Sequence, residues 1–177
     1  MSQETLSTAA AIGTFVVIAA TAIAAVVQLH HLRASNQLHG LLTVLARVED
    51  ANFNEWIDGT RAVLNTRISD PAFRQSVVDA TFERHDNPWL NLANSYEWVG
   101  ILVKNRLIDE AAFMDLQFGR VQLAWDLLKD IIAITRQRSN AVWENFEFLA
   151  VRADAWEAAH PNGNYPPGLA RKDLPFR

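Results

Sequence analysis

No cysteine occurs in the chain, and that absence removes disulfide scaffolds, thiol catalysis, Cys-ligated zinc and iron–sulfur clusters together. It also suits a reducing compartment. A basic excess is missing too. Sixteen Lys and Arg stand against twenty Asp and Glu, for a net charge of −4. A general nucleic-acid binder needs a basic surface to displace phosphate counterions, so no nucleic-acid partner is expected. There is no Gly-rich phosphate loop, no Walker lysine and no HExxH helix. No segment alternates with period two for long enough to make a strand. What remains is a chain of 177 residues, half of them hydrophobic and a fifth charged, which excludes intrinsic disorder and fits one domain of ordinary size.

Charge is absent altogether from residues 5–29. That interval holds ten large apolar side chains, Leu6, Ile12, Phe15, Val16, Val17, Ile18, Ile23, Val26, Val27 and Leu29, among alanines and threonines. Roughly 20 such residues in a helix cross a hydrocarbon core of about 30 Å. A cleaved signal peptide should begin with a basic region, and here the early charged side chain is Glu4. Ala22-Ile23-Ala24 matches the small-x-small cleavage pattern, but Val26, Val27 and Leu29 carry the run beyond it, which suits an uncleaved anchor. A buried core helix would show a polar stripe, and this run has none. The reading is a transmembrane helix over residues 6–29.

The flanks orient it. Glu4 precedes the run, whereas His30, His31, Arg33 and Arg47 follow it. The positive-inside rule then places the C-terminal side in the cytoplasm and the short N-terminus outside an inner (cytoplasmic) membrane. His30, His31 and Arg33 fall where the apolar run ends and read as interfacial anchors. An imidazole there could also ligate haem or a pigment magnesium, but adjacent helical residues point about 100° apart, so the pair is poorly placed to hold one metal. Ala9, Gly13, Ala20 and Ala24 make one face of the span small. Such a face lets two helix backbones approach closely in lipid, although alanine is also simply common in membrane helices.

Neither Pro nor Gly interrupts residues 14–39, so the helix is expected to leave the bilayer unbroken. Beyond the run, Leu38, Leu41, Leu45 and Val48 continue a four-three seam, widened by Leu42. The seam either pairs with a second copy or forms the face on which the following domain rests; the second is favoured, because a domain of this size needs surface to pack against.

From residue 52 onward the chain carries all six tryptophans and eight of the nine phenylalanines, which implies a substantial core. Asp70-Pro71 and Asn87-Pro88 each set a capping side chain before a proline at the first helical position. Asp109 caps the next helix and Glu110 faces its positive end, and Ser139 or Asn140 is expected to cap the last. Between these signals the period is helical. Trp89, Leu92, Tyr96, Val99 and Val103 share one face; Met114, Phe118, Val121, Trp125, Leu128 and Ile132 share another; Val142, Phe146, Leu149, Ala153 and Trp156 share a third. The fold expected is all-α, with one transmembrane helix continuing into a juxtamembrane helix, then an antiparallel bundle of four to five helices. The domain boundaries read as 1–5 for an extracytoplasmic N-terminus, 6–29 for the span, 30–51 for the juxtamembrane amphipathic helix, 52–159 for the helical domain and 160–177 for the tail. Pro161, Pro166, Pro167 and Pro175 with Gly163 and Gly168 keep that tail non-helical, either loose or as a strap over a partner.

Chemistry-bearing motifs are few. Glu157-x-x-His160 matches half of a di-iron carboxylate motif, but no second such pair exists. His85-Asp86 precedes a helix cap and reads as a turn. Glu144 and Glu147, near Arg136, Arg138 and Arg152, read as packing and capping charges rather than an active site. No catalytic residue, cofactor or metal is expected.

The stretch Asn94-Ser95-Tyr96-Glu97-Trp98-Val99-Gly100, then Leu107-Ile108-Asp109-Glu110, Phe118-Gly119, Trp125, and Trp143-Glu144-Asn145-Phe146-Glu147-Phe148-Leu149-Ala150, resembles the DUF4760 group of bacterial proteins. The resemblance covers roughly residues 5 to 157, with its distinctive words in 94–150. It implies one N-terminal membrane span and a helical cytoplasmic domain, and it transfers no catalytic role to any residue. The expectation is therefore a single-pass accessory or scaffold subunit of a membrane complex. Its partners would be the lipid bilayer and either other subunits or a second copy of itself. The alternative is a membrane-anchored sensor binding a small ligand near Tyr96, Glu97 and Arg136.

Overall fold

The computed structural model of the protein describes residues 3–48, 51–83 and 87–172. These form six helices, with no strand among the described residues: α1 (Gln3–Val48), α2 (Ala51–Arg67), α3 (Pro71–Asp79), α4 (Pro88–Lys104), α5 (Glu110–Arg136) and α6 (Glu144–Ala159).

At 46 residues α1 is by far the longest element, about 69 Å at the usual helical rise. Its two halves have different surroundings. Ile12, Phe15, Val16, Val17, Ile18, Ile23, Val26 and Leu29 are all exposed, whereas Leu41, Val44 and Val48 are buried in the core. The apolar run and the segment that packs on the bundle are thus one unbroken helix, as expected from residues 14–39, which hold neither Pro nor Gly, and the helix continues through Gly40. Gly40 admits the turn between α4 and α5 against this helix. A Cβ at Gly40 would lie 2.9 Å from Ile108 Cγ2 and 3.3 Å from the Leu107 carbonyl oxygen. The last α1 carbonyl, that of Val48, accepts from Arg120 Nη1 at 3.4 Å, so α5 holds the helix end.

The core is aromatic and crosses four helices. Phe53 of α2 meets Tyr96 of α4 edge-on at 5.6 Å. Tyr96 stacks on Phe146 of α6 at 5.0 Å, and Phe146 receives Trp125 of α5 edge-on at 5.2 Å. Each ring pair adds about 0.5–1.5 kcal/mol beyond its burial. The α4 face foreseen from periodicity, Trp89, Leu92, Tyr96, Val99 and Val103, is buried throughout. Helices α5 and α6 run antiparallel. Arg136 meets Glu147 near the end of α5, and Gln122, fourteen residues earlier in the chain, donates to Asp154 and Glu157 near the end of α6.

The helix starts are met in part. Asp70 accepts from the Ala72 amide at 2.9 Å and Asp109 from the Ala112 amide at 2.8 Å, so both cap as expected. Asn87 does not cap with its side chain. It is buried, its amide donating to the Glu83 carbonyl and its oxygen accepting from Trp89 Nε1 at 3.0 Å. A buried indole N–H must find an acceptor, and that need outranks the cap. Nor does Ser139 or Asn140 cap the last helix. Residues 140–143 form turns, and α6 starts after Trp143, which has a left-handed backbone at φ 53°. His85-Asp86 lies outside the described residues. The tail is non-helical and exposed up to residue 172, folding back on itself: Tyr165 Oη donates to the Ala170 carbonyl at 3.3 Å, and the Arg171 guanidinium lies 5.0 Å over the Tyr165 ring.

Candidate functional site

The distinctive words at 94–100 and 143–150 lie 49 residues apart in sequence and meet in space at one junction. Asn94, Glu97 and Gly100 sit one turn apart on the same face of α4. They face the start of α6. Asn94 Oδ1 accepts from Trp143 Nε1 at 2.9 Å. Glu97 uses both oxygens: Oε1 accepts from Asn145 Nδ2 at 2.6 Å and Oε2 from the Phe146 backbone amide at 2.8 Å. A carboxylate borrowed from another helix thus caps α6, where the free amides and the helix dipole both favour negative charge. At Gly100 the backbones nearly touch. A Cβ there would fall 2.1 Å from the Asn145 carbonyl oxygen. One turn further, Lys104 Nζ donates to Asn145 Oδ1 at 3.0 Å and approaches Glu144 at 3.8 Å.

Arg136 closes the junction from α5. Its Nε donates to the Val142 carbonyl at 2.9 Å, its Nη2 to the Trp143 carbonyl at 3.2 Å and its Nη1 to Glu147 at 2.7 Å. One planar guanidinium therefore holds the loop before α6 and the first turn of that helix. The left-handed conformation at Trp143, uncommon for a bulky residue, persists because its carbonyl and its indole N–H are both held. Chemically, the arrangement is a clasp. Every carboxylate oxygen of Glu97 and every donor nitrogen of Arg136 is engaged in seating α6.

Beside the clasp is a surface cleft of about 400 Å³, floored by Trp89, Trp143 and Thr135 and rimmed by Asn91, Asn94 and Arg138. Tyr96, Glu97 and Arg136, the side chains considered for a ligand pocket, do not line it. Tyr96 is buried and its hydroxyl donates to the Arg120 carbonyl at 3.2 Å. Burial pushes that hydroxyl well above the usual phenol range, and the positive charge of Arg120 offsets this only in part. The folded-state value lies above the unfolded one, so the contribution of Tyr96 is intact below about pH 10 and is lost as pH rises beyond it, because the unfolded chain ionises first. Wild type is expected to lose stability steeply above about pH 10 and Tyr96→Phe less so; urea midpoints of both proteins across that range provide the check.

The other residues singled out from sequence lie apart from the clasp. His30, His31 and Arg33 are exposed on α1. Gly13, Ala20 and Ala24 lie exposed on the apolar half of that helix, and the side chain of Ala9 lies outside the described residues. Of the seam, Leu41 and Val48 are buried, Leu45 is half-buried and Leu38 is exposed at 58%. Val44, absent from the four-three reading, is fully buried. The domain rests on a face rotated towards Gly40 and Val44, because Gly40 is where α1 admits the neighbouring turn. Glu157 accepts from Gln122, and the His160 ring stacks on Trp156 at 4.1 Å. Among the described residues no group of three or more His, Asp and Glu side chains is placed to hold a metal ion. From the sequence, Trp89, Leu92, Tyr96, Val99 and Val103 form the apolar face of this helix, 94–100 carries the family resemblance, and Glu97 is a candidate pocket residue rather than a helix cap. The signal not used is the polar and small stripe Asn94, Glu97 and Gly100, repeating every three residues along α4.

An all-α bundle built onto one long apolar helix, with its last helix clasped by the fourth and fifth, defines the class of protein. The chain belongs to the DUF4760 family, a domain of unknown function, whose model matches residues 15–153. The match starts in the apolar half of α1 and ends within α6, so it takes in both sides of the clasp and leaves out the tail. No curated protein and no solved structure matches the chain.

Proposed function

We propose that this protein is a single-pass membrane protein acting as an accessory or scaffold subunit of a larger membrane complex. The observation that carries the reading is the continuity of α1. A helix long and apolar enough to cross a bilayer, with none of its apolar window buried, runs directly into the core at Leu41, Val44 and Val48. Val26, Val27 and Leu29 carry the exposed apolar run past Ala24, which favours an anchor over a signal peptide. Arg33 and Arg47 after the run, against Glu4 before it, favour a cytoplasmic bundle. With the polar groups of the clasp occupied in seating α6, the bundle holds a partner and carries no catalysis. Gly13, Ala20 and Ala24, with Ala9, offer a close-approach face to another subunit or a second copy.

Two measurements test this. Wild type is expected to stay with washed membranes through salt and carbonate and to leave only in detergent. The double variant Val17→Asp, Ile18→Asp is expected to come off in carbonate, since each acid at mid-span costs about 2.5–3.5 kcal/mol of insertion. Release of wild type without detergent, or a mature terminus at Ala25, would sink the anchor. Mild-detergent purification followed by mass spectrometry should return co-purifying membrane subunits or a homo-oligomer; a clean monomer refutes the accessory role.

A further inference from the structure

A second groove lies where α1 leaves its apolar run. It has a volume of about 560 Å³ and is lined by Leu29, Leu32, Arg33, Asn36 and Gln37 of α1 and by Asn105, Arg106 and Leu107 of the turn between α4 and α5. Its charge is of one sign. Arg33 and Arg106 line it with no Asp or Glu, and neither arginine is in an ion pair among the described residues. The nearest acids on the turn are already used: Asp109 caps α5, and Glu110 pairs with Arg152. The apolar side chains of the groove, Leu29, Leu32 and Leu107, are each more than half exposed.

Arg106 occupies an unusual place. The turn closes α4 with two bonds, from the Arg106 amide to the Val103 carbonyl and from the Leu107 amide to the Leu102 carbonyl, both at 2.9 Å. This pattern puts Arg106 in the left-handed region at φ 56°, a position glycine fills best. Gln37 Nε2 donates to the Arg106 carbonyl at 3.2 Å, so the turn is pinned to α1. An arginine that the backbone disfavours is thereby held at the groove containing Arg33.

Distance along α1 selects the occupant. Leu29 ends the apolar run, and Arg33 lies about 6 Å further along the axis. The headgroup layer on each side of a hydrocarbon core is about 5–7 Å deep, so Arg33 stands at phosphate level with Leu29 and Leu32 beneath it, and Arg106, whose carbonyl is held by Gln37 further along α1, lines the same groove from its outer end. We infer that this groove binds the phosphate of an anionic phospholipid headgroup, with Arg33 and Arg106 on the phosphate and Leu29 and Leu32 against the upper acyl chain. The inference rests on the reading of α1 as a membrane span. It makes the turn between α4 and α5 a second point of membrane contact, which sets the bundle's tilt against the bilayer.

The test uses the full chain in phosphatidylcholine nanodiscs doped with phosphatidylglycerol, with native mass spectrometry counting the lipids retained. Wild type is expected to retain phosphatidylglycerol preferentially. Arg106→Gly and Arg33→Gln should each lower that preference several-fold, and the double variant roughly twentyfold. Because glycine suits the left-handed position, Arg106→Gly should unfold no earlier than wild type, which separates lost binding from lost structure. Equal retention by wild type and the double variant overturns the inference while leaving the span intact. Failure of wild type to enter the discs overturns the span itself. In a second arm, inorganic phosphate is added to the protein in uncharged detergent, and no change in the unfolding midpoint is expected. A rise that the double variant abolishes would assign the groove to free phosphate and overturn the lipid assignment.

Discussion

Gly100→Ala is expected to destabilise the bundle by about 3 kcal/mol, at the upper end of what overpacking costs. The added methyl would sit 2.1 Å from the Asn145 carbonyl oxygen and 2.6 Å from its carbon, both backbone atoms at the start of α6. No side-chain rotation relieves a backbone clash, so α6 must move away from α4. That movement loosens the Glu97 cap on Phe146 and the Tyr96–Phe146 stack together. Gly119→Ala is the matched control. It makes the same chemical change in a helix, with nothing within 4 Å of the new carbon. There the gain in helix propensity, up to about 1 kcal/mol, should appear alone. Urea denaturation of the full chain in detergent reads both. Two variants that shift in the same direction by similar amounts would refute the close approach of α4 and α6.

Arg136→Met is expected to cost about 2–3 kcal/mol, mainly from the two carbonyls, Val142 and Trp143, that lose a charged donor. The ion pair with Glu147 adds little, because the Glu147 side chain is 47% exposed and water replaces its partner. Arg136→Lys should recover less than half of the loss, since a single ammonium has no fork to span three acceptors. The near-ultraviolet circular dichroism of Trp143, whose left-handed backbone depends on that hold, should weaken in both variants. Full recovery by lysine would show that charge alone, not the fork, holds the loop.

What the chain alone discloses depends on how far apart in sequence the interacting residues lie. The Asp70 and Asp109 caps were legible because a cap is made within three residues of itself, so local sequence contains both donor and acceptor. Asn87 carries the same local signature and does something else, because the indole of Trp89 claims its oxygen once both are buried. Leu38 and Val44 diverge for a related reason. Leucine outweighs valine in a periodic pattern, but which side of α1 is covered depends on where Gly40 lets the α4–α5 turn approach. The clasp was legible only in halves. Its two words stood out, yet a hydrogen bond between residues 49 apart leaves no periodic trace.

The long uncharged run, the helical class and the aromatic faces follow from composition and period, since hydropathy and helical spacing are properties of neighbouring residues. The family match follows from the same words. Which carboxylate caps α6, which guanidinium holds its approach and which arginines share the groove beside Leu29 were settled by packing. Those arrangements exist only once distant segments have been packed against one another, and the hydrogen bonds of the clasp act over only about 3 Å.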